Sequence, residues 1–316
     1  MRGQVSDKLK PLLEQVNQAV AEMKAQNIPF DVATTRTNLD NLAAFMNDSP
    51  EIELVVERQF TNGEQIIPAR VYHPQPSKPL PVLLHFHGGG HMCGSIELYD
   101  PVSRQLAKYC NMIVIAIDYR LAPEHPYPAG IEDSMFALKH YQQVLEGLLY
   151  QPKVSIIGDS AGGAICTTLA HRCQSAAEVT IDKQVLIYPS VDYTMSQPSI
   201  EENGDGFLLQ KEKIAWYFQQ YFNGEADTQL LRAASPLLQS FSKQLPATLV
   251  ITAGCDPLRD EGEAYYQMLR RAGVEAQHHQ LPDMIHAYML LHELVANECH
   301  ETYVKIAEFL NVQSSS

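Results

Sequence analysis

Residues 154–163, Val-Ser-Ile-Ile-Gly-Asp-Ser-Ala-Gly-Gly, constrain the fold more than any other stretch of this 316-residue chain. Val154, Ile156 and Ile157 read as a buried strand, and residues 165–173 read as a helix. Between them, Gly158-Asp159-Ser160-Ala161-Gly162 fits Gly-x-Ser-x-Gly, a sharp strand-to-helix turn with serine at its tip. Such a serine sits in strained backbone, and glycines two residues to either side let strand and helix pass closely. Its hydroxyl would stand at a helix N-terminus, where the dipole favours developing negative charge. The pattern alone also describes a plain βα turn. Its meaning depends on whether the rest of the chain supplies a base, an acid and N–H donors.

Taken in order, residues 5–25 place Val5, Leu9, Leu13, Val16, Val20 and Met23 on one stripe of an amphipathic helix, expected to pack on the domain's own surface. A polar connector is expected up to Pro50. Residues 51–59 and 66–73 read as strands, with Thr61-Asn62-Gly63 as the hairpin turn. A short buried strand at 82–86 ends at His87-Gly88-Gly89-Gly90. Strands at 112–117, 184–188, 247–253 and 274–281 then alternate with helices at 129–145, 260–272 and 287–310. This rhythm predicts a mostly parallel sheet with helices on both faces and a ligand site at the carboxyl ends of the strands. Residues 190–241 interrupt it with glycines and one aromatic helix around Trp216, Phe218, Tyr221 and Phe222, which suggests a lid.

Composition narrows the partners. A formal charge of −14 argues against nucleic acid and anionic membrane surfaces. Apolar residues make up 45%, and the longest apolar run, 112–117, is too short to span a bilayer. The six cysteines (93, 110, 166, 173, 255, 299) show no metal-ligand spacing and read as reduced thiols of a cytoplasmic protein. No metal or cofactor motif is found. His87-Gly88-Gly89-Gly90 lacks the Lys-Ser/Thr of a phosphate loop, and no Gly-x-Gly-x-x-Gly with a ribose acid follows a strand.

A serine hydroxyl needs a neighbouring base and a group that holds the base's tautomer. On a sheet of this kind the acid and then the histidine follow the serine in chain order. Asp256 lies just past the strand 247–253; Asp260 suits a helix start, and Asp192 is the other rival. His286 falls after the last strand, whereas His278 and His279 lie within that strand and His292 and His300 within the expected closing helix. The glycine run after His87 can aim backbone N–H groups at an oxyanion, leaving open which two of Gly88, Gly89 and Gly90 donate. Residues 119–129, Tyr-Arg-Leu-Ala-Pro-Glu-His-Pro-Tyr-Pro-Ala, form a proline-stiffened loop that reads as scaffold. Its Ala122-Pro123 and Tyr127-Pro128 bonds are candidates for the cis form.

Together His87-Gly88-Gly89-Gly90, residues 119–129, Gly158-Asp159-Ser160-Ala161-Gly162-Gly163, Asp256-Pro257-Leu258-Arg259-Asp260 and His286 resemble the hormone-sensitive-lipase-like esterases. Asp159 before the serine is similar to the GDSAG branch of the bacterial and archaeal members. The resemblance implies an α/β-hydrolase fold (α/β class) with a helical cap. The cap would comprise residues 1–50 and the insertion 190–241, over a catalytic domain of 51–189 and 242–316. It also implies no cofactor and no metal. The expected activity is carboxylesterase action on short- to medium-chain acyl esters, with Ser160, Asp256 and His286 as triad and Gly89, Gly90 and Ala161 as oxyanion donors. The implied partner is a small-molecule ester, with no membrane or nucleic acid, and a homodimer would suit the family. An amidase, deacetylase or lactonase with the same triad is the alternative within enzymes. The other is a non-catalytic receptor on this fold, as in the plant gibberellin receptors. One departure stands out: Asp283-Met284-Ile285-His286-Ala287-Tyr288 lacks the family's glycine before and Gly-Phe after the histidine, which bears on pocket shape.

Overall fold

The computed structural model describes residues 1–174, 179–224 and 226–311. Its strands are β1 (Leu54–Asn62), β2 (Gln65–His73), β3 (Leu80–Phe86), β4 (Ile113–Ile117), β5 (Tyr150–Asp159), β6 (Lys183–Ile187), β7 (Ala247–Cys255) and β8 (Ala276–Ile285). They form one sheet in the order β1-β2-β4-β3-β5-β6-β7-β8. β1 and β2 make the antiparallel hairpin through Gly63, β2 also pairs antiparallel with β4, and every other pairing is parallel. The α/β-hydrolase architecture expected above is present.

The helices are α1 (Lys10–Ala25), α2 (Val32–Asp40), α3 (Asp100–Cys110), α4 (Ala129–His140), α5 (Ala161–Cys173), α6 (Ser199–Glu202), α7 (Lys211–Tyr221), α8 (Thr228–Ala234), α9 (Arg259–Arg271) and α10 (Ala296–Asn311). Successive side chains on a strand face opposite ways, so a strand covered on both sides must be apolar throughout. Leu83, Val114 and Leu249 therefore join one core with Leu106 of α3 and Ile306 of α10. Their neighbours Leu84, Ile115 and Val250 join a second core with Leu138, Leu169 and Leu269 of α4, α5 and α9. Each fully buried leucine contributes about 2–3 kcal/mol of hydrophobic stabilisation.

Several elements differ from expectation. The polar connector after α1 contains α2, whose first turn is capped by Asp31 accepting from Thr34 N–H at 2.7 Å. Among its described residues the insertion holds three α-helices, α6, α7 and α8, rather than one. The closing helix starts at Ala296, not at 287, because Ala287 has φ +62° and residues 288–290 form a 3₁₀ turn. His292 therefore lies before that helix. Both β7 and β8 run further than expected, to Cys255 and Ile285. Both candidate proline bonds, Ala122-Pro123 and Tyr127-Pro128, are cis. Among the described residues, no helix is long and apolar enough to cross a membrane.

Candidate active site

The extension of β7 and β8 matters because it sets Asp256 and His286 side by side. Cys255 pairs with Ile285 across these two parallel strands, so the next residue on each leaves the sheet at the same level. His286 Nδ1 lies 2.7 Å from Asp256 Oδ2, and its Nε2 lies 2.9 Å from Ser160 Oγ. Asp256 is 0% exposed and His286 6%. The other Asp256 oxygen accepts from Leu258 N–H at 2.8 Å, which fixes the carboxylate plane.

Ser160 has φ +51° and ψ −116°, a conformation seldom adopted by a residue with a side chain. The surroundings hold it there: its N–H donates to Ile187 O at the end of β6, and its carbonyl accepts from Ala164 and Ser190 N–H. Glycine is required nearby by contact. A Cβ on Gly162 would lie 1.9 Å from Phe86 O, and one on Gly158 2.3 Å from the Gly162 backbone. β3 runs parallel to β5, with Phe86 opposite Gly158, so the His87-Gly88-Gly89-Gly90 loop leaves the sheet beside the serine.

Asp159 ties the two together. Its buried carboxylate accepts from Gly88 N–H at 2.8 Å and from Tyr99 OH at 2.9 Å. The Gly88 N–H is thereby engaged by a side chain of the protein itself. Gly89 (φ +116°) and Gly90 (φ +65°) line the cavity with Ser160, Ala161 and His286. A Cβ on Gly89 would lie 2.1 Å from Cys93 O, and one on Gly90 2.6 Å from the Tyr217 ring.

Burial pushes the Asp159 carboxyl up to about 6 from an ordinary 3.8, against the opposing pull of its hydrogen bonds from Tyr99 and Gly88. The folded chain thus holds this proton more tightly than the unfolded chain. The stability so conferred is present below the ordinary carboxyl value and is lost as pH rises through about 6. Asp159→Asn keeps an acceptor for Gly88 N–H but cannot ionise. Its stability relative to wild type should therefore rise by about 2–3 kcal/mol between about pH 4 and pH 7. Urea denaturation at the two pH values measures this, and parallel pH dependences would disprove it.

The loop of residues 119–129 stays out of the cavity and braces it from behind. Tyr119 OH donates to His87 O at 2.7 Å, and its ring stacks on the His87 imidazole at 4.5 Å. Glu124 pairs with Arg36 of α2 at 2.6 Å, and Arg36 also donates to Met92 O and Ala122 O. The rival acids and histidines are engaged elsewhere. Asp260 pairs with Arg259 at 2.7 Å and accepts from Ser199 N–H, while Asp192 accepts from Thr194 and Ser196 N–H. His278 meets Thr252, His279 meets Glu301, His292 meets Asp48 and His300 meets Tyr109. Tyr99 and Arg36 had no sequence signal, since each acts through a partner distant in the chain.

Above the serine lies a cavity of about 530 Å³, walled largely by apolar side chains of α1, α2 and α7, among them Val16, Leu39 and Ile214. Among the described residues, no group of three His, Cys, Asp or Glu side chains is set to hold a metal ion.

Residues 83–290 match the model of a family of the alpha/beta hydrolase fold, Abhydrolase_3. The carboxylesterase NlhH of Mycobacterium tuberculosis is 35% identical over 263 residues, covering 82% of each chain. This chain belongs to the hormone-sensitive-lipase-like esterases. As a member it is a carboxylic ester hydrolase. The esterase is also 34% identical to the ethyl acetate hydrolase of Pseudomonas putida over 255 residues, 79% of this chain and 80% of that one. Its fold superposes on the Pyrobaculum calidifontis esterase with TM-score 0.85 at 33% identity, covering 97% of this chain and 98% of that one.

Proposed function

We propose that the esterase cleaves short- to medium-chain acyl esters by two-step acyl transfer. His286 Nε2 takes the Ser160 proton as Oγ attacks the ester carbonyl, and the N–H groups of Gly89, Gly90 and Ala161 receive the oxyanion. His286 then protonates the leaving alcohol. Water activated by the same imidazole attacks the acyl-enzyme, releases the acid and restores the serine. Asp256 holds the Nδ1–H tautomer and stabilises the imidazolium.

The observation that carries this reading is the line Asp256–His286–Ser160, at 2.7 and 2.9 Å, opening into the apolar cavity. The engagement of Gly88 N–H by Asp159 supports Gly89 and Gly90 as the loop's donors. Residues 1–50 and 190–241 serve as the cap over a catalytic domain of 51–189 and 242–316. In support, α1, α2 and α7 supply much of the cavity wall. The names of the carboxylesterase and ethyl acetate hydrolase relatives favour esters over amides.

A series of 4-nitrophenyl esters tests the acyl preference. The kcat/KM is expected to peak between butyrate and octanoate and to fall for palmitate, with the matching anilides hydrolysed far more slowly. A maximum at palmitate, or equal rates on anilides, would overturn it.

A further inference from the structure

Lys213 is the single ammonium or guanidinium side chain among the described residues that line the cavity. It sits on α7, one turn before Tyr217, whose ring packs on Gly90, and its Nζ lies 5.9 Å from the centre of that ring. Its neighbours on the helix have partners outside the cavity: Lys211 pairs with Glu201, and Glu212 with Lys24 at 2.8 Å. Lys213 has none; among the described residues no carboxylate lies within 4.0 Å of its Nζ. The acids that line the cavity are otherwise engaged. Asp159 accepts from Gly88 N–H and Tyr99 OH, and the exposed Asp31 caps α2 through Thr34 N–H. His91 in the same wall is bound to Tyr193 OH at 2.9 Å.

A half-buried ammonium among apolar side chains has lost water and gained no anion, an arrangement that costs free energy until a counter-charge arrives. Burial accordingly lowers the Lys213 pKa. Among the described residues the fold supplies no such anion, and Lys213 lines the same cavity as Ser160 and His286.

We infer that Lys213 binds a carboxylate carried by the substrate away from the scissile ester, so that the site prefers half-esters of dicarboxylic acids or esters of carboxylate-bearing alcohols over neutral esters of the same shape. This rests on the proposed catalytic reading of the same cavity. Lys213 is a specificity-determining residue and takes no part in proton transfer. The carboxylate reaches Nζ from the acyl or the alcohol side, and Ser160 attacks the ester carbonyl as for any other substrate.

Two matched pairs distinguish the sides. On the acyl side, 4-nitrophenyl hydrogen suberate is compared with 4-nitrophenyl methyl suberate. On the alcohol side, 4-carboxyphenyl butyrate is compared with its methyl ester. The kcat/KM ratio of charged to neutral ester in one pair is expected to fall about tenfold or more on Lys213→Met, through KM, and to survive Lys213→Arg. Because each ratio is taken within one enzyme, a general loss of folded protein cancels. Ratios that stay within about twofold of wild type in both pairs for Lys213→Met would overturn the inference.

A second readout does not depend on turnover. In a Ser160→Ala background, calorimetric binding of the same uncleaved pairs should favour the charged ester, and adding Lys213→Met should remove that preference. Equal affinities in the single variant would equally overturn it. If wild type fails to hydrolyse 4-nitrophenyl butyrate, the catalytic reading fails while the binding comparison still decides the role of Lys213.

Discussion

Ser160→Ala is expected to lower kcat on 4-nitrophenyl butyrate by about a hundred-thousandfold. Oγ is the atom that Nε2 of His286 faces at 2.9 Å, so alanine removes both the nucleophile and the proton that the histidine accepts. What remains is catalysis by the N–H donors and by binding, about a thousandfold or more over water. The fold should hold. Serine already bears the strain of φ +51°, alanine adds no atom to it, and the backbone bonds to Ile187, Ala164 and Ser190 do not involve the side chain. Urea denaturation should place the variant within about 1 kcal/mol of wild type. An organophosphate should label the wild-type chain at one site and leave Ser160→Ala unlabelled. Activity above a tenth of wild type, or labelling of the variant, would falsify the assignment of the nucleophile.

That assignment was legible because each of its parts carries a local mark. Gly158 and Gly162 announce the close approach of β5 and α5, and the glycines after His87 announce a loop with no room for side chains. The sheet was legible for a similar reason: strands buried on both faces read as apolar runs. The signals failed where packing overrides local preference. Three threonines and an asparagine weaken the helical pattern of Val32–Asp40, and the Asp31 cap is its one clear mark, so α2 read as a connector. Pro282 made the second half of β8 read as a loop, yet β8 is an edge strand, where a missing N–H is tolerated. Tyr99 and Arg36 owe their significance to neighbours far away in sequence and Lys213 to the cavity it lines, and no local pattern distinguishes the three from the residues around them. Asp159, by contrast, was noted for its motif, whereas its work of orienting Gly88 became readable only from the distances.

Asp256→Asn should lower kcat/KM by about ten-thousandfold, with the fold retained. The reason lies in the two oxygens of the buried carboxylate. One accepts from Leu258 N–H at 2.8 Å and the other faces His286 Nδ1 at 2.7 Å. In asparagine the carbonyl oxygen must keep facing the Leu258 N–H, because the amide nitrogen there would set donor against donor. The NH2 group then points at Nδ1 and donates to it. The imidazole is driven to the opposite tautomer, with its proton on Nε2, where it faces Ser160 Oγ and cannot take the serine's proton. The loss should fall chiefly on kcat, because Asp256 lies behind the histidine and does not line the cavity. Asp260→Asn is the matched control. Its carboxylate serves Arg259 and Ser199, so it should disturb the loop's stability while leaving most of kcat in place. If Asp260→Asn abolished turnover while Asp256→Asn kept more than a tenth of it, the acid would have to be reassigned to the other aspartate.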